Sequence, residues 1–214
     1  MSKLSVVQAI NQALRHEMER NPNLILMGED IGRDGGVFRV TEGLIDQFGE
    51  RRVVDTPLSE SGIVGIAIGM AAYGLTPVVE IQFMGFLYAA MEQLISHAAR
   101  LRTRTRGRYT CPIVVRTPYG GGIHAPEHHS ESAEAFFVHT PGLKVVVPST
   151  PAEAKGLMLS AIRDPDPVIF LEPAKIYRAI KEEVPEADNA IPLGEARLLT
   201  EGKDLTLITW GAML

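Results

Sequence analysis

The chain has 214 residues, 45% of them hydrophobic and 22% charged, a balance that supports a buried core and excludes a disordered polymer. Its formal net charge of -5 gives no general attraction for nucleic acid, and a single cysteine, Cys111, excludes an internal disulfide and suits a reducing compartment. No apolar run reaches the roughly 18 residues of a membrane span, and Met1-Ser2-Lys3-Leu4 opens neither a signal nor a transit peptide, so a soluble, cytoplasmic chain is expected.

Helical and strand patterns alternate along the sequence. Val6–Arg20 reads as a helix, Leu24–Met27 as a short strand, and Arg33-Asp34-Gly35-Gly36-Val37-Phe38 as a glycine-rich loop. Val53–Asp55 is a second strand, followed by a helix over Ser61–Tyr73, a strand over Pro77–Ile81 and a long helix over Phe86–Arg104. Strands at Ile113–Arg116, Lys144–Val147 and Val168–Leu171 complete the pattern, with a helix at Pro151–Arg163 between the last two. That helix opens on a cap, a first-turn proline and an early acid in Ser149-Thr150-Pro151-Ala152-Glu153. Each strand is a short apolar run without strict polar alternation, as expected for strands covered on both faces. Strands alternating with helices imply an α/β fold, a doubly wound parallel sheet with helices on both faces, whose ligands gather at the carboxyl ends of the strands. Composition shifts at the acidic, proline-bearing stretch Lys181–Asn189, and Leu205–Trp210 reads as a lone strand. The expected organisation is a domain over residues 1–180, a linker over 181–204, and at 205–214 the first strand of a second domain that is otherwise absent.

Glu60 stands out. It follows the turn Asp55-Thr56-Pro57-Leu58-Ser59 and opens a helix with no polar side chain from Ile63 to Ala72. A helix apolar all round is expected to be buried, and its first-turn acid would then gain proton affinity by desolvation. The alternative is an exposed acid that complements the positive end of the helix dipole. A second cluster, Gly120-Gly121-Gly122-Ile123-His124-Ala125-Pro126-Glu127-His128-His129, follows a strand directly. Its glycines permit close backbone approach and its histidines move protons near neutral pH. His124 and His128 have the i,i+4 spacing of metal ligands, but Pro126 and the glycines oppose the helix that would align them. A flexible polar loop is the plainer reading. Phe83 and Phe86, after the strand Pro77–Ile81, offer an aromatic platform for a flat heterocycle, or simply core. The arginine-rich run Arg100–Arg108 lacks interleaved aromatics and reads as the solvated or subunit-facing end of a helix. Neither the G-x-G-x-x-G nor the Walker pattern occurs.

Gly28-Glu29-Asp30, Gly35-Gly36-Val37-Phe38, Asp55-Thr56-Pro57-Leu58-Ser59-Glu60, Glu80-Ile81-Gln82-Phe83, His129-Ser130 and Pro141-Gly142-Leu143-Lys144-Val145-Val146 run in order along the whole chain. Together they resemble the beta subunit of the thiamine-diphosphate-dependent decarboxylase component of 2-oxo acid dehydrogenase complexes, here truncated after its N-terminal domain. The resemblance implies the pyrimidine-binding domain of transketolase-like enzymes. It also implies oxidative decarboxylation of a 2-oxo acid, with pyruvate preferred over branched-chain or acetoin-type substrates, and acyl transfer to a lipoyl group. A non-catalytic assembly domain is the rival class.

By the same resemblance, Glu60 hydrogen-bonds the cofactor's aminopyrimidine, Phe86 packs on that ring beside Phe83, and His129 steers protons during acyl transfer. Ile113, Ala161, Ile162, Asp164 and Asp166 align with a structural potassium (K+) site. The diphosphate and magnesium (Mg2+) motif, a Gly-Asp-Gly followed by an Asn pair, is absent from the sequence. The resemblance assigns it to an alpha subunit, in a heterotetramer of two alpha and two beta chains that meets a lipoyl-bearing acyltransferase.

Overall fold

The computed structural model describes residues 2–214. β1 (Ser2–Leu4) leads into α1 (Val6–Arg20), which begins in a reciprocal capping box between Ser5 and Gln8. β2 (Leu24–Gly28), α2 (Leu44–Phe48), β3 (Val53–Asp55), α3 (Glu60–Ala72) and β4 (Thr76–Glu80) follow. After an irregular helical stretch come α4 (Leu101–Arg104), β5 (Val114–Tyr119), α5 (Glu134–Val138) and β6 (Lys144–Val146). α6 (Pro151–Arg163), β7 (Val168–Pro173) and β8 (Glu182–Val184) complete the order.

Six strands form one sheet in the order β3-β2-β4-β5-β7-β6, and every neighbouring pair is parallel. Side chains alternate between two cores, as a pleated strand dictates. Leu24, Leu26, Val78, Val114, Val168 and Phe170 join the core under α1 and α6. Met27, Val79, Val115, Ile169 and Leu171 join the core under α3 and the segment after β4. The doubly wound sheet expected from the strand composition is therefore present. Truncating a fully buried leucine such as Leu159 of α6 would cost ~2–5 kcal/mol, because little around it is free to collapse.

The chain winds from β2 to β3 on one side and to β4 on the other, so the carboxyl ends of β2 and β4 flank the switch point where such sheets leave a crevice. Gly28 closes β2 there, in register with Asp55 on one side and Glu80 on the other. A Cβ on Gly28 would lie 2.8 Å from the Glu80 carbonyl oxygen, which accounts for glycine at that position.

Several expectations need correction. α3 is not buried all round: Ile63, Val64, Ala67 and Ala71 face the core, whereas Ile66 is 58% exposed, as are Leu58 before the helix and Tyr73 after it, at 78% and 89%. The apolar outer face is surface in the single chain. The expected helix Phe86–Arg104 is broken into a 3-10 turn at Met84–Ala90, a π turn at Gln93–His97, a second 3-10 turn at Ala98–Arg100 and then α4. Gly142 abuts the Ala99 carbonyl at this break, where a side chain would not fit. The stretch Lys181–Asn189 contains β8, which pairs antiparallel with β1, so the first domain's structure continues past residue 180. Lys155 holds this return in place. Buried on α6, its Nζ donates to the carbonyls of Pro185, Glu186 and Ala187, and burial lowers its pKa. Leu205–Trp210 forms no strand; Leu207 is 81% exposed, and Gly211–Met213 makes a 3-10 turn packed beside Tyr119, Val147 and Pro173.

Candidate active site at the carboxyl ends of the sheet

Four loops rise from the strand ends around the switch point. The turn after β3 delivers Glu60 at the first position of α3. Asp55 secures the neighbouring loop: its carboxylate accepts from the backbone N–H of Gly32 at 2.6 Å and of Arg33 at 3.2 Å. Glu60 is half-buried, so its role does not come from a sealed interior. Glu29, just beyond β2, is the acid whose pKa is raised, first by burial and then by the negative charges of Glu60 and Asp30. Sequence reasoning missed Glu29 as a member of the site, although its place directly after a strand was a signal. Asp30 in turn accepts from Gln82 Nε2 at 3.2 Å, which ties the β2 loop to the β4 loop. Three carboxyl groups thus share one end of the crevice.

The other side is aromatic. Phe83 and Phe86 are edge-to-face at 5.6 Å between centroids, and His129 lies 4.5 Å from Phe83 and 5.2 Å from Phe86. Phe38 extends the cluster, 5.7 Å from Phe83 and 5.1 Å from Tyr177. The segment Met84–Ala90, which carries Phe86, packs against α3, whose first residue is Glu60. A Cβ on Gly85 would come within 2.7 Å of His128 Cα, so this glycine lets the histidine loop lie down on the aromatic pair. His128 adopts a left-handed conformation, φ 71, to make that turn. His129 Nδ1 lies 2.9 Å from the Glu127 carbonyl. A carbonyl only accepts, so Nδ1 carries the proton and Nε2 of the neutral ring presents its lone pair.

His124 and His128 are exposed and do not join His129 in the aromatic cluster. Among the described residues no group of three or more His, Cys, Asp or Glu side chains is placed to hold a metal ion. The segments that carry the five residues aligned with a potassium site are neighbours: Cys111 N–H donates to the Pro165 carbonyl at 3.1 Å, and Asp166 N–H to Asp164 Oδ1 at 2.9 Å. Their charge is spent, however. Lys144 Nζ sits 2.6 Å from Asp164 Oδ2, and Arg102 Nε 2.6 Å from Asp166 Oδ1. The carbonyls of Ile113 and Ala161 each accept one backbone hydrogen bond, from Val168 at 3.0 Å and Asp164 at 3.3 Å, and each keeps a second lone pair. Arg104 donates to the Ser96 carbonyl at 2.6 Å, so it and Arg102 serve the fold.

Beneath the cluster lies a buried ion network that sequence reasoning also missed. Arg116 on β5 forks onto Glu172 of β7, Nε to Oε1 at 2.5 Å and Nη2 to Oε2 at 2.8 Å, and its Nη1 reaches Glu80 of β4. Tyr177 O–H donates to Glu172. Burial raises the Glu80 pKa against the pull of Arg116, and burial followed by Glu172 holds Tyr177 well above the ordinary phenol range. Buried charges at adjacent strand ends were a recoverable signal; their pairing across three strands was not.

The pyrimidine end of thiamine diphosphate fits this donor set. It needs a carboxyl group for a ring nitrogen, hydrogen-bonding atoms and an apolar wall. Glu60 and the Phe83–Phe86 pair supply the carboxyl group and the apolar wall, on two packed segments that follow β3 and β4.

Residues 2–179 match the family described as transketolase, pyrimidine binding domain. All of the chain aligns at 54% identity with the pyruvate dehydrogenase subunit beta of Acholeplasma laidlawii, covering 65% of that protein. The Bacillus subtilis (strain 168) pyruvate dehydrogenase subunit beta is 52% identical over 100% of the chain and 66% of its own length. The 2-oxoisovalerate dehydrogenase subunit beta of the same organism is 53% identical over 99% of the chain and 64% of its own length. The chain thus spans a little under two thirds of the curated relatives it matches. A solved chain titled split gene transketolase, inactive beta4 tetramer, shares the fold at a TM-score of 0.64 and 17% identity, over 78% of this chain and 50% of its own. The family match and the strand-end site agree, and the chain belongs to the transketolase pyrimidine-binding domain family.

Proposed function

We propose that this chain is the pyrimidine-binding part of a 2-oxo acid dehydrogenase beta subunit, and that it completes a thiamine-diphosphate site together with an alpha subunit. The observation that carries the reading is that α3, which Glu60 opens, packs against the segment bearing Phe86, with Phe83 and His129 clustered on that ring. Thiamine diphosphate supplies the electron sink for decarboxylation when bound. Glu60 shares a proton with the pyrimidine ring nitrogen, beside Glu29, whose own proton affinity is raised by burial and then by the charge of Glu60. Phe86 and Phe83 fix the ring plane and exclude water. His129 Nε2 accepts and returns a proton as the acyl group passes to a lipoyl arm.

The diphosphate and Mg2+ end falls to the alpha subunit, since the sequence lacks that motif. The exposed apolar face of α3, with Ile66 and Tyr73, is where such a partner would cover surface next to Glu60. K+ would be held by the carbonyls of Ile113, Ala161 and Ile162, with Asp164 and Asp166 ordering the turn. The reading takes the first domain to run past residue 180 through β8, with the stretch after it leading to 205–214 as the approach to a second domain. It places the protein in the cytoplasm, where a buried thiol such as Cys111 stays reduced, and pairs it with a lipoyl-bearing acyltransferase.

Pyruvate is the proposed substrate. The 53% identity to a 2-oxoisovalerate dehydrogenase subunit favours the branched-chain alternative almost equally, because the pyruvate relatives stand at 54% and 52%. Purified chain, combined with an alpha subunit, Mg2+ and thiamine diphosphate, should decarboxylate pyruvate faster than 2-oxoisovalerate. Faster turnover of 2-oxoisovalerate would reassign the substrate. Cofactor-dependent assembly without decarboxylation of either acid would favour the non-catalytic assembly domain.

A further inference from the structure

A surface cavity of about 710 Å³ lies between α1, the loop at Arg39–Glu42 and the segment after Tyr177, and shares no lining residue with the strand-end site. Four cations line it, Arg15, Arg39, Arg178 and Lys181, against one carboxylate, Glu42. Among the described residues none of these four is in an ion pair. This concentration of positive charge stands on a chain whose net charge is -5.

The guanidinium groups are held in place by neutral partners. Arg15 Nη2 donates to Asn11 Oδ1 at 3.2 Å, Arg178 Nη2 to the Phe38 carbonyl at 2.7 Å, and Arg39 to the Asp34 carbonyl. Each keeps further N–H donors for an anion, and the tethers reduce the entropy lost on binding. Asn11 Nδ2 also donates to the carbonyls of Val40 and Glu42, at 2.7 Å and 3.1 Å, which fixes the loop to α1. Arg39 itself sits at φ 64, a conformation a non-glycine side chain adopts at a cost.

We propose that this cavity binds a phosphate monoester, its phosphate held between the tethered arginines and Lys181. Planar guanidinium forks match phosphate oxygens bidentately, and an anion is the partner that four cations lack. Arg178 also holds the Phe38 carbonyl, and the Phe38 ring touches Phe83, so an occupied cavity would stiffen the loop behind the aromatic cluster. The proposal does not depend on the chain's catalytic role or on a partner subunit.

Calorimetry on the purified chain tests it, with adenosine monophosphate, inorganic phosphate and adenosine as probes. Adenosine monophosphate should bind and adenosine should not. The double variant Arg39→Gln/Arg178→Gln should weaken binding about tenfold or more, whereas Arg106→Gln, an exposed arginine outside the cavity, should leave it unchanged. Inorganic phosphate should compete with adenosine monophosphate for the same site. All the substituted arginines are exposed, so circular dichroism should show an intact fold. Absence of adenosine monophosphate binding at millimolar concentration, or equal affinity in the double variant and Arg106→Gln, would overturn the assignment.

Discussion

Phe83 and His129 come from loops after different strands, yet their ring centroids lie 4.5 Å apart. Gly85 makes this possible. It allows the backbone of His128 to rest where any side chain would stand, and so brings His129 over the aromatic pair that faces the crevice.

Gly85→Ala should therefore damage the site through the backbone. Its Cβ would come within 2.7 Å of His128 Cα, and relief requires moving the loop. We expect a stability loss of ~1–3 kcal/mol by denaturant unfolding, with functional losses that mimic removal of His129. An alanine variant with normal lipoamide reduction would show that the contact is dispensable.

His129→Ala should impair acyl transfer to lipoamide more than decarboxylation. Its Nδ1–H is committed to the Glu127 carbonyl, which leaves Nε2 as the exchanging nitrogen. Decarboxylation with an artificial electron acceptor, compared with lipoamide reduction in the complete complex, separates the two steps. Equal losses in both assays would contradict the role.

Arg116→Met should destabilise the fold by about 3–5 kcal/mol near neutral pH, since it strands Glu80 and Glu172 in the interior. The loss should shrink in acid. Burial raises the folded-state pKa of Glu80, so its protonated form favours folding below the ordinary carboxylate range, and that contribution fades as pH rises through the folded value. Without Arg116 the folded value rises further. Urea midpoints of the variant relative to the parent chain should therefore be closer at pH ~5 than at pH ~8; a gap that widens in acid would show that Arg116 does not oppose the rise in the Glu80 pKa.

The main layers were legible because α1 and α6 combine strong caps with helical periodicity, and the buried strands are unbroken apolar runs. α3 misled because an all-apolar sequence does not distinguish a helix buried in its own chain from one whose outer face, at Ile66 and Tyr73, is open in the single chain. β1 and β8 are three residues each and gain their pairing only through tertiary return, so local pattern did not reveal them. The Leu205–Trp210 run has the composition of a strand, but composition alone supplies no neighbour to pair with. Glu60, Phe83, Phe86 and His129 were each visible as chemistry at a strand end. That Glu29 joins the acids, and that Arg116 braces the sheet beneath them, depends on three strands lying side by side.

The central claim is that Glu60 acts on the pyrimidine ring. Proton exchange at the cofactor's thiazolium carbon, followed by hydrogen–deuterium quench in the proposed complex of this chain with an alpha subunit, reads that action before any substrate is added. Glu60→Gln keeps the size and half-buried placement of the side chain, so the fold should be intact while exchange slows by ~10²–10⁴-fold. An exchange rate equal to that of the parent complex, with cofactor bound, would contradict the account.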